Sequence, residues 1–379
     1  MDESAGGPVS SLYAHVPFCA RKCGYCAFYS EPSDGGLRAR YVKALIREME
    51  SVAPALRPET VFFGGGTPTL LNLRQWEAIF DAMGRLGLLG AAEWTVECNP
   101  ATLSLDKARL LRSAGVNRAS LGVQSLDPQM LERLGRVHTR PMVFDSFDIL
   151  RRAGFENVNL DLMFAIPGQT VRAWRRTLDE AIALGSEHLS SYEVIYEEDT
   201  PLYAELQAGR FAVDEDLACA MYEELLERAA QAGLEQYEIA NFARPSFACR
   251  HNVNYWRAGS FYGLGPSATS YVRGARTRNW SNTRLYCERL EAGKPAVESR
   301  EELPPLARAG EAAAFGLRLV AGWPFDEFRR TTGQDLRGEW AADMRRLVEQ
   351  GWGRLSPHRF QLTPAGLRFA DSAAQMFLR

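Results

Sequence analysis

From residue 11 to about 235 the chain alternates between two hydrophobic periods. Short apolar or β-rich runs, SLYAHVPF, ETVFFGG, EWTVECNP, RASLGVQ, NVNLDLMF and LSSYEVIY, read as six strands. Between them the apolar positions follow a helical period. Val42, Leu45, Ile46 and Met49 fall at i, i+3, i+4 and i+7, and Val171, Trp174, Leu178 and Ile182 lie along one stripe of a later segment. Six strand–helix units in a row predict a parallel sheet, and the nearly continuous apolar character of several runs predicts strands buried on both faces. Six units are too few for a closed eight-stranded barrel. The expected α/β architecture is therefore an open three-quarter barrel or a doubly wound sheet, and in both ligands gather at the C-terminal ends of the strands.

Residues 236–300 read as a loop-rich connector with few periodic elements. From about 301 the helical period returns in LARAGEAAAFGLRLV and WAADMRRLVEQGW. The segment RLSPHRFQLTPAGLRFA follows, read as two short strands turning at Ser356 and Pro357 and then a helix with Thr363 as N-cap and Pro364 at its first position. The organisation expected is a core over 1–235, a connector over 236–300 and an α+β, winged-helix-like domain over 301–379.

Charge bears on that last domain. The 379 residues carry 44 Lys plus Arg against 47 Asp plus Glu, a formal net charge of -3. Phosphate-tracking surfaces rest on clustered positive charge, so a packing or docking role is favoured over nucleic-acid binding. A hydrophobic content of 46% suits a globular protein. No apolar run reaches the roughly 18 residues of a membrane span, and the acidic start MDESAGGPVSS has no signal-like apolar stretch. A cytoplasmic location is expected.

Seven cysteines are an odd number, and a disulfide framework is improbable in a reducing compartment. Cys19, Cys23 and Cys26 crowd into HVPFCARKCGYCAFYS, a C-x3-C-x2-C spacing just after the first strand. Three thiolates from one loop can bind three irons of a 4Fe-4S cubane and leave the fourth open, as a reactive metal centre requires. A structural zinc site would need a fourth ligand, for which His15 is the nearby candidate, and the spacing is not that of a zinc ribbon.

At the end of the second strand stand Gly64, Gly65 and Gly66, then Thr67 and Pro68; a backbone without Cβ atoms lets a ligand approach closely. Glu97 follows the third strand, Gln124 the fourth, and Asp161 lies in the fifth near its C-terminal end. Recurrence of polar residues at strand ends facing one cleft favours ligand contacts.

These residues resemble a known family. C-x3-C-x2-C after the first strand of a (βα)6 chain is similar to the radical S-adenosylmethionine (SAM) superfamily. YAHVPFC, FFGGGTPT, ECNP, GVQSLDPQML, LGRVHT and NLDLMFAIPGQT, in that order, resemble its oxygen-independent coproporphyrinogen III oxidase-like branch. The resemblance implies a radical SAM partial (βα)6, TIM-like barrel. It also implies SAM contacts at Tyr13, Gly65, Gly66, Thr67, Glu97, Gln124, Arg136 and Asp161, with Tyr25 beside the cluster. A guanidinium such as that of Arg136 can pair with a carboxylate. The cofactor carries the chemistry: one electron from the cluster cleaves SAM to methionine and a deoxyadenosyl radical.

Two features separate the branches. The decarboxylating oxidases continue to C-x3-C-x2-C-x-C after a longer N-terminal segment, whereas Phe28 stands at the corresponding position here. The chain resembles instead the HemW family of heme chaperones, which has an HNxxYW motif, present as His251, Asn252, Tyr255 and Trp256. Imidazole is a common heme ligand and flanking aromatics suit a porphyrin, so His251 is the expected heme contact, with Cys249 a rival thiolate. FYGLGPSATSY resembles a G-x-G-x-GAH stretch of the family, but Ser267 and Thr269 replace its usual Gly and His. His138, His188 and His358 read as surface or structural residues.

The resemblance implies heme transfer to respiratory acceptor proteins and an electron donor for the cluster, and leaves room for a homodimer and for peripheral membrane contact. No catalytic residue is assigned and coproporphyrinogen oxidase activity is not expected. The competing expectation is a catalytic radical SAM enzyme such as that oxidase.

Overall fold

The computed structural model describes residues 7–32 and 34–379; residues 1–6 of the acidic start lie outside them. The six expected strands form as β1 (Val9–Val16), β2 (Leu56–Gly65), β3 (Glu93–Cys98), β4 (Arg118–Gln124), β5 (Val158–Phe164) and β6 (His188–Glu193). They lie side by side in chain order and all run parallel. The crossovers carry α1 (Gly35–Val52), α2 (Leu73–Arg85), α3 (Leu105–Ser113), α4 (Pro128–Arg133), α5 (Arg140–Arg152) and α6 (Val171–Ala183). Side chains fix several of the helix starts. Asp34, Ser104, Asp127 and Thr170 each accept a first-turn N–H, and Asn72 with Gln75 forms a reciprocal capping box.

The sheet has two unlike faces, which corrects the expectation of apolar burial on both. Leu12, Ala14, Val61, Phe63, Trp94, Val96, Leu121 and Leu160 belong to the large core beneath the helices. The alternate positions are also buried but polar: Ser11, His15, Thr60, Glu93, Thr95, Arg118, Ser120, Asn159, His188 and Ser190. Period two puts these residues on one face, and they bond to one another across strands. Thr60 donates to Ser11 at 2.9 Å, the Asn159 amide donates to Ser120 at 2.7 Å, and His188 Nδ1 meets Asn159 Oδ1 at 2.6 Å. The open barrel thus has a polar interior closed by internal hydrogen bonds.

After α7 (Pro201–Gln207) and α8 (Glu215–Gln231) the connector is more ordered than its aperiodic sequence suggests. Its strands β7 (Glu235–Glu238) and β8 (Asn241–Ala243) extend the sheet beyond β6 as antiparallel additions, while β9 (Tyr262–Leu264) adds in parallel beside β1, giving nine strands. Between them lies α9 (Arg250–Trp256). A separate antiparallel sheet, β10 (Thr269–Val272), β11 (Ala275–Asn279) and β12 (Val297–Glu302), follows, with α10 (Thr283–Glu291) inserted. These elements are three to nine residues long, too short to show a hydrophobic period, and neighbouring backbone supplies their order.

A second hydrophobic cluster, centred on Trp323, Phe328, Trp340, Phe360 and Phe377, organises the C-terminal region that begins with α11 (Pro305–Gly316). Here Trp323–Pro324, Arg359–Leu362 and Gly353–Leu355 form a small antiparallel sheet beside short helices. The hairpin turns after Leu355, and Thr363 caps the next helix by accepting the Gly366 N–H at 3.0 Å. Among the described residues no helix is long and apolar enough to cross a membrane.

Candidate cluster and ligand cleft

The three cysteines lie in the loop between β1 and α1, each partly exposed. Backbone bonds hold this loop on several sides: Cys19 N–H to Glu31 O at 3.2 Å, Glu31 N–H to Pro17 O at 2.8 Å and Gly24 N–H to Leu134 O at 3.1 Å, while Gly24 O accepts from Leu202 at 2.9 Å. His15 closes its base. A carbonyl only accepts, so the 2.8 Å contact to Tyr29 O puts a proton on His15 Nε2 and leaves Nδ1 to accept from the Tyr13 phenol at 3.0 Å. Both nitrogens are engaged, and burial lowers the His15 pKa. His15 therefore acts as a brace in this conformation. No three His, Cys, Asp or Glu side chains converge closely enough among the described residues to hold a single metal ion.

The glycine run packs directly beneath this loop. Gly66 N–H bonds to Val16 O at 2.8 Å, Thr67 N–H to Phe18 O at 2.7 Å, and the Thr67 hydroxyl lies 3.6 Å from Cys19 Sγ. Each glycine is dictated by a neighbour. A Cβ on Gly64 would come within 2.9 Å of the Glu97 carboxyl carbon, one on Gly66 within 2.7 Å of Phe18 O, and one on Gly65, whose φ is +101°, within 2.4 Å of the His15 ring. The missing side chains bring β2, the cysteine loop and Glu97 together.

Glu97 accepts the Gly65 N–H at 3.0 Å, and burial, reinforced by the charge of Asp161, pushes its carboxyl up to about 8. Asp161 sits at the middle of β5, further from the strand end than the sequence reading put it. It accepts from Ser120 and Asn159, each at 2.9 Å, and burial raises its pKa too. Gln124 ends β4 at a register shift and takes φ +64°, a left-handed value that side chains rarely adopt. Bulges of this kind re-aim a side chain. Arg136 spans the gap to the cysteine loop, donating from Nη2 to Gly122 O at 2.7 Å and from Nη1 to Cys23 Sγ at 3.6 Å. Burial raises the Tyr25 phenol pKa, opposed by the Arg136 charge. The expected contacts at Tyr13, Tyr25, Gly65, Gly66, Thr67, Glu97, Gln124, Arg136 and Asp161 thus form one connected neighbourhood beside the thiols. It offers carboxylates for a cationic group and a guanidinium for an anionic one.

His251 lies one ring beyond Tyr13, on the far side of Phe62. Thr60 gives its hydroxyl proton to Ser11, so its oxygen receives the His251 Nδ1–H at 2.9 Å, and Nε2 accepts from the Tyr255 phenol at 2.7 Å. The ring stacks on Phe62 with centroids 5.2 Å apart. Burial drives its pKa down to about 3. Neither nitrogen is free for iron in this conformation; the environment is that of a core histidine.

Glu93, which the sequence reading did not single out, fixes α9 at the barrel floor. It accepts the Arg250 N–H at 2.8 Å, the His251 N–H at 2.9 Å and the Cys249 thiol at 3.4 Å. Cys249 is fully buried, with its pKa pushed up to about 12 by burial. His138 and His188 are buried and hydrogen-bonded to the fold, while His358 is exposed. Ser267, where the resembling stretch has glycine, takes φ +64°, which explains why glycine suits that position; Thr269 begins β10.

The open parallel barrel, with three cysteines on its first loop and a glycine-braced carboxylate cleft beside them, defines the class. A family profile described as the Radical SAM superfamily matches residues 13–181, and one described as the HemN C-terminal domain matches residues 303–369. A solved coproporphyrinogen III oxidase (HemN) from Escherichia coli superposes with a TM-score of 0.85 over 98% of this chain and 90% of that one, at 21% identity, and shares the fold. The sequence relatives are more specific. Heme chaperone HemW of Bacillus subtilis is 35% identical over 98% of this chain and 99% of its own length. HemW of Escherichia coli is 32% identical over 98% of both chains. A bovine mitochondrial relative, radical S-adenosyl methionine domain-containing protein 1, is also 32% identical, over 98% of this chain and 89% of its own. The chain belongs to the HemW family within the radical SAM superfamily.

Proposed function

We propose that this protein is a cytoplasmic heme chaperone. It binds heme, carries a 4Fe-4S cluster on Cys19, Cys23 and Cys26 and SAM in the adjoining cleft, and passes heme to respiratory acceptor proteins. The observation that carries this reading is the braced three-cysteine loop that continues to Phe28, with no fourth thiol, in a chain matching HemW relatives along its whole length.

The donor set fits a cluster. Three soft sulfurs share one loop, and the Arg136 guanidinium donates to one of them, Cys23 Sγ, at 3.6 Å. Glu97 and Asp161 suit the amino and sulfonium end of SAM, and Arg136 suits its carboxylate. When bound and reduced, the cluster supplies the electron that cleaves SAM. The chain's own part is to orient the ligand through Tyr13, Gly65, Gly66 and Thr67, to shield it with Tyr25, and to hold Glu97 and Asp161 ready to ionise against a cation. This assembled cleft also supports the alternative, a catalytic radical SAM enzyme with a reductant as electron donor.

Anaerobic reconstitution with iron and sulfide should give about four irons per chain, and the same sample should develop a Soret band with hemin and yield that heme to an apo-acceptor. Zinc, or no metal, in the presence of ample iron and sulfide would remove the cluster. Conversion of coproporphyrinogen III to protoporphyrinogen IX by the reduced protein with SAM would favour the oxidase; no turnover is expected.

A further inference from the structure

Between α9, the β10–β11 hairpin and α11 lies a cavity of about 270 Å3, open to solvent on one side, that none of the residues discussed for SAM lines. Its walls are Tyr255 and Trp256 from α9, Tyr271 from β10 and Phe315 from α11, with Arg276 and Arg308 at its edge. Phe315 is 43% exposed, an apolar lip on an otherwise partly buried surface.

The two arginines differ. Arg276 already pairs with Glu301 at 2.8 Å and with Glu311. Arg308, one helical turn before Glu311, has no carboxylate partner among the described residues. Flat aromatic walls and a guanidinium without a carboxylate partner describe a receptor for a planar aromatic molecule carrying an acid.

We infer that this cavity is the tetrapyrrole site, with the macrocycle against Trp256, Tyr271 and Phe315 and one propionate on Arg308. The inference rests on the heme-binding reading above and specifies where and how heme is held: by ring and carboxylate, with His251 bracing Tyr255 from behind. Tyr255 connects the two, since its ring lines the cavity while its phenol bonds His251. The open mouth leaves part of the macrocycle in solvent, which suits a cargo that must be handed on.

The test titrates the full-length, cluster-loaded protein with hemin, metal-free protoporphyrin IX and its dimethyl ester, following absorbance and tryptophan quenching. Hemin and the free acid should bind alike, and the ester about tenfold more weakly. Arg308→Gln should weaken both free acids about tenfold and leave the ester unchanged, while Phe315→Ala should weaken all three. Both residues are at least partly exposed, and iron content checks that each variant is intact. Undiminished hemin affinity in both variants would overturn this placement while heme binding itself stands. Absence of hemin binding by the unaltered protein would instead overturn the heme reading.

Discussion

The upper cleft and the floor of the barrel use the same kinds of residue to opposite ends. At the cleft, Glu97 keeps one backbone donor and faces a second carboxylate, and three thiols have backbone support but no common partner. At the floor, Glu93 takes up two N–H groups and a thiol, and His251 has both nitrogens bonded. One set is left with capacity for a ligand; the other is saturated by the fold. Residue type alone therefore does not distinguish a site from a brace, and the number of hydrogen-bonding positions still open does.

That contrast is broken most sharply by one substitution at each end. Cys23→Ser should abolish the cluster, taking iron from about four per chain to near zero. It should leave the urea midpoint of the metal-free protein almost unchanged, since backbone bonds hold the loop. Glu93→Ala should do the reverse. It leaves the Arg250 and His251 N–H groups unpaired beside buried Arg118, and stability should fall by about 3 kcal/mol with iron binding retained. Loss of iron in Glu93→Ala at full occupancy of the folded state would show that floor and cleft form a single unit.

The same distinction explains what the sequence could disclose. The cysteine loop is local: three cysteines within eight positions place themselves wherever the loop goes. The six-stranded core was equally legible because strand-like runs recur six times with helical stripes between them, clearest in the 18 residues of α1 and the 13 of α6. His251 was legible as a residue but not in its role, because Thr60, which it bonds, lies 191 positions away, as remote as Phe62, on which it stacks, and only the fold brings them near. Glu93 carried a faint signal, a carboxylate opening a strand that should be apolar. The short elements of the connector carried none, because β9 exists through pairing with β1.

Glu48 offers a subtler contrast, a buried carboxylate that is neither ligand site nor floor. From α1 it accepts from Tyr286 at 2.7 Å, Gly265 N–H at 2.8 Å and Asn279 at 2.6 Å, tying the connector to the barrel. Burial nevertheless outweighs those donors and pushes its pKa up to about 7. The folded state then holds this proton more tightly than the unfolded chain does. Its contribution is fully present below the unfolded value near 4.5 and is lost as pH rises through about 7, a swing of about 3 kcal/mol. Urea midpoints of the protein and of Glu48→Gln, measured from pH 5 to 8, should converge or cross as pH rises; a gap that stays constant would mean that Glu48 is ionised throughout.

The smallest expected effect tests the floor at a single bond. Thr60→Val keeps the shape of the side chain but removes the oxygen that accepts from His251 and the proton given to Ser11, while Tyr255 still serves Nε2. Because the ring stays stacked on Phe62, it cannot turn Nδ1 to water without leaving its place, so that N–H remains buried and unpaired. Stability should fall by about 1–2 kcal/mol. Hemin affinity should be unchanged, because the Nδ1–H left behind offers iron no lone pair and Tyr255 still holds Nε2; a changed affinity would mean that the imidazole itself contacts heme. That one comparison, stability against affinity in the same variant, separates a brace from a ligand at the residue where the sequence alone left both readings open.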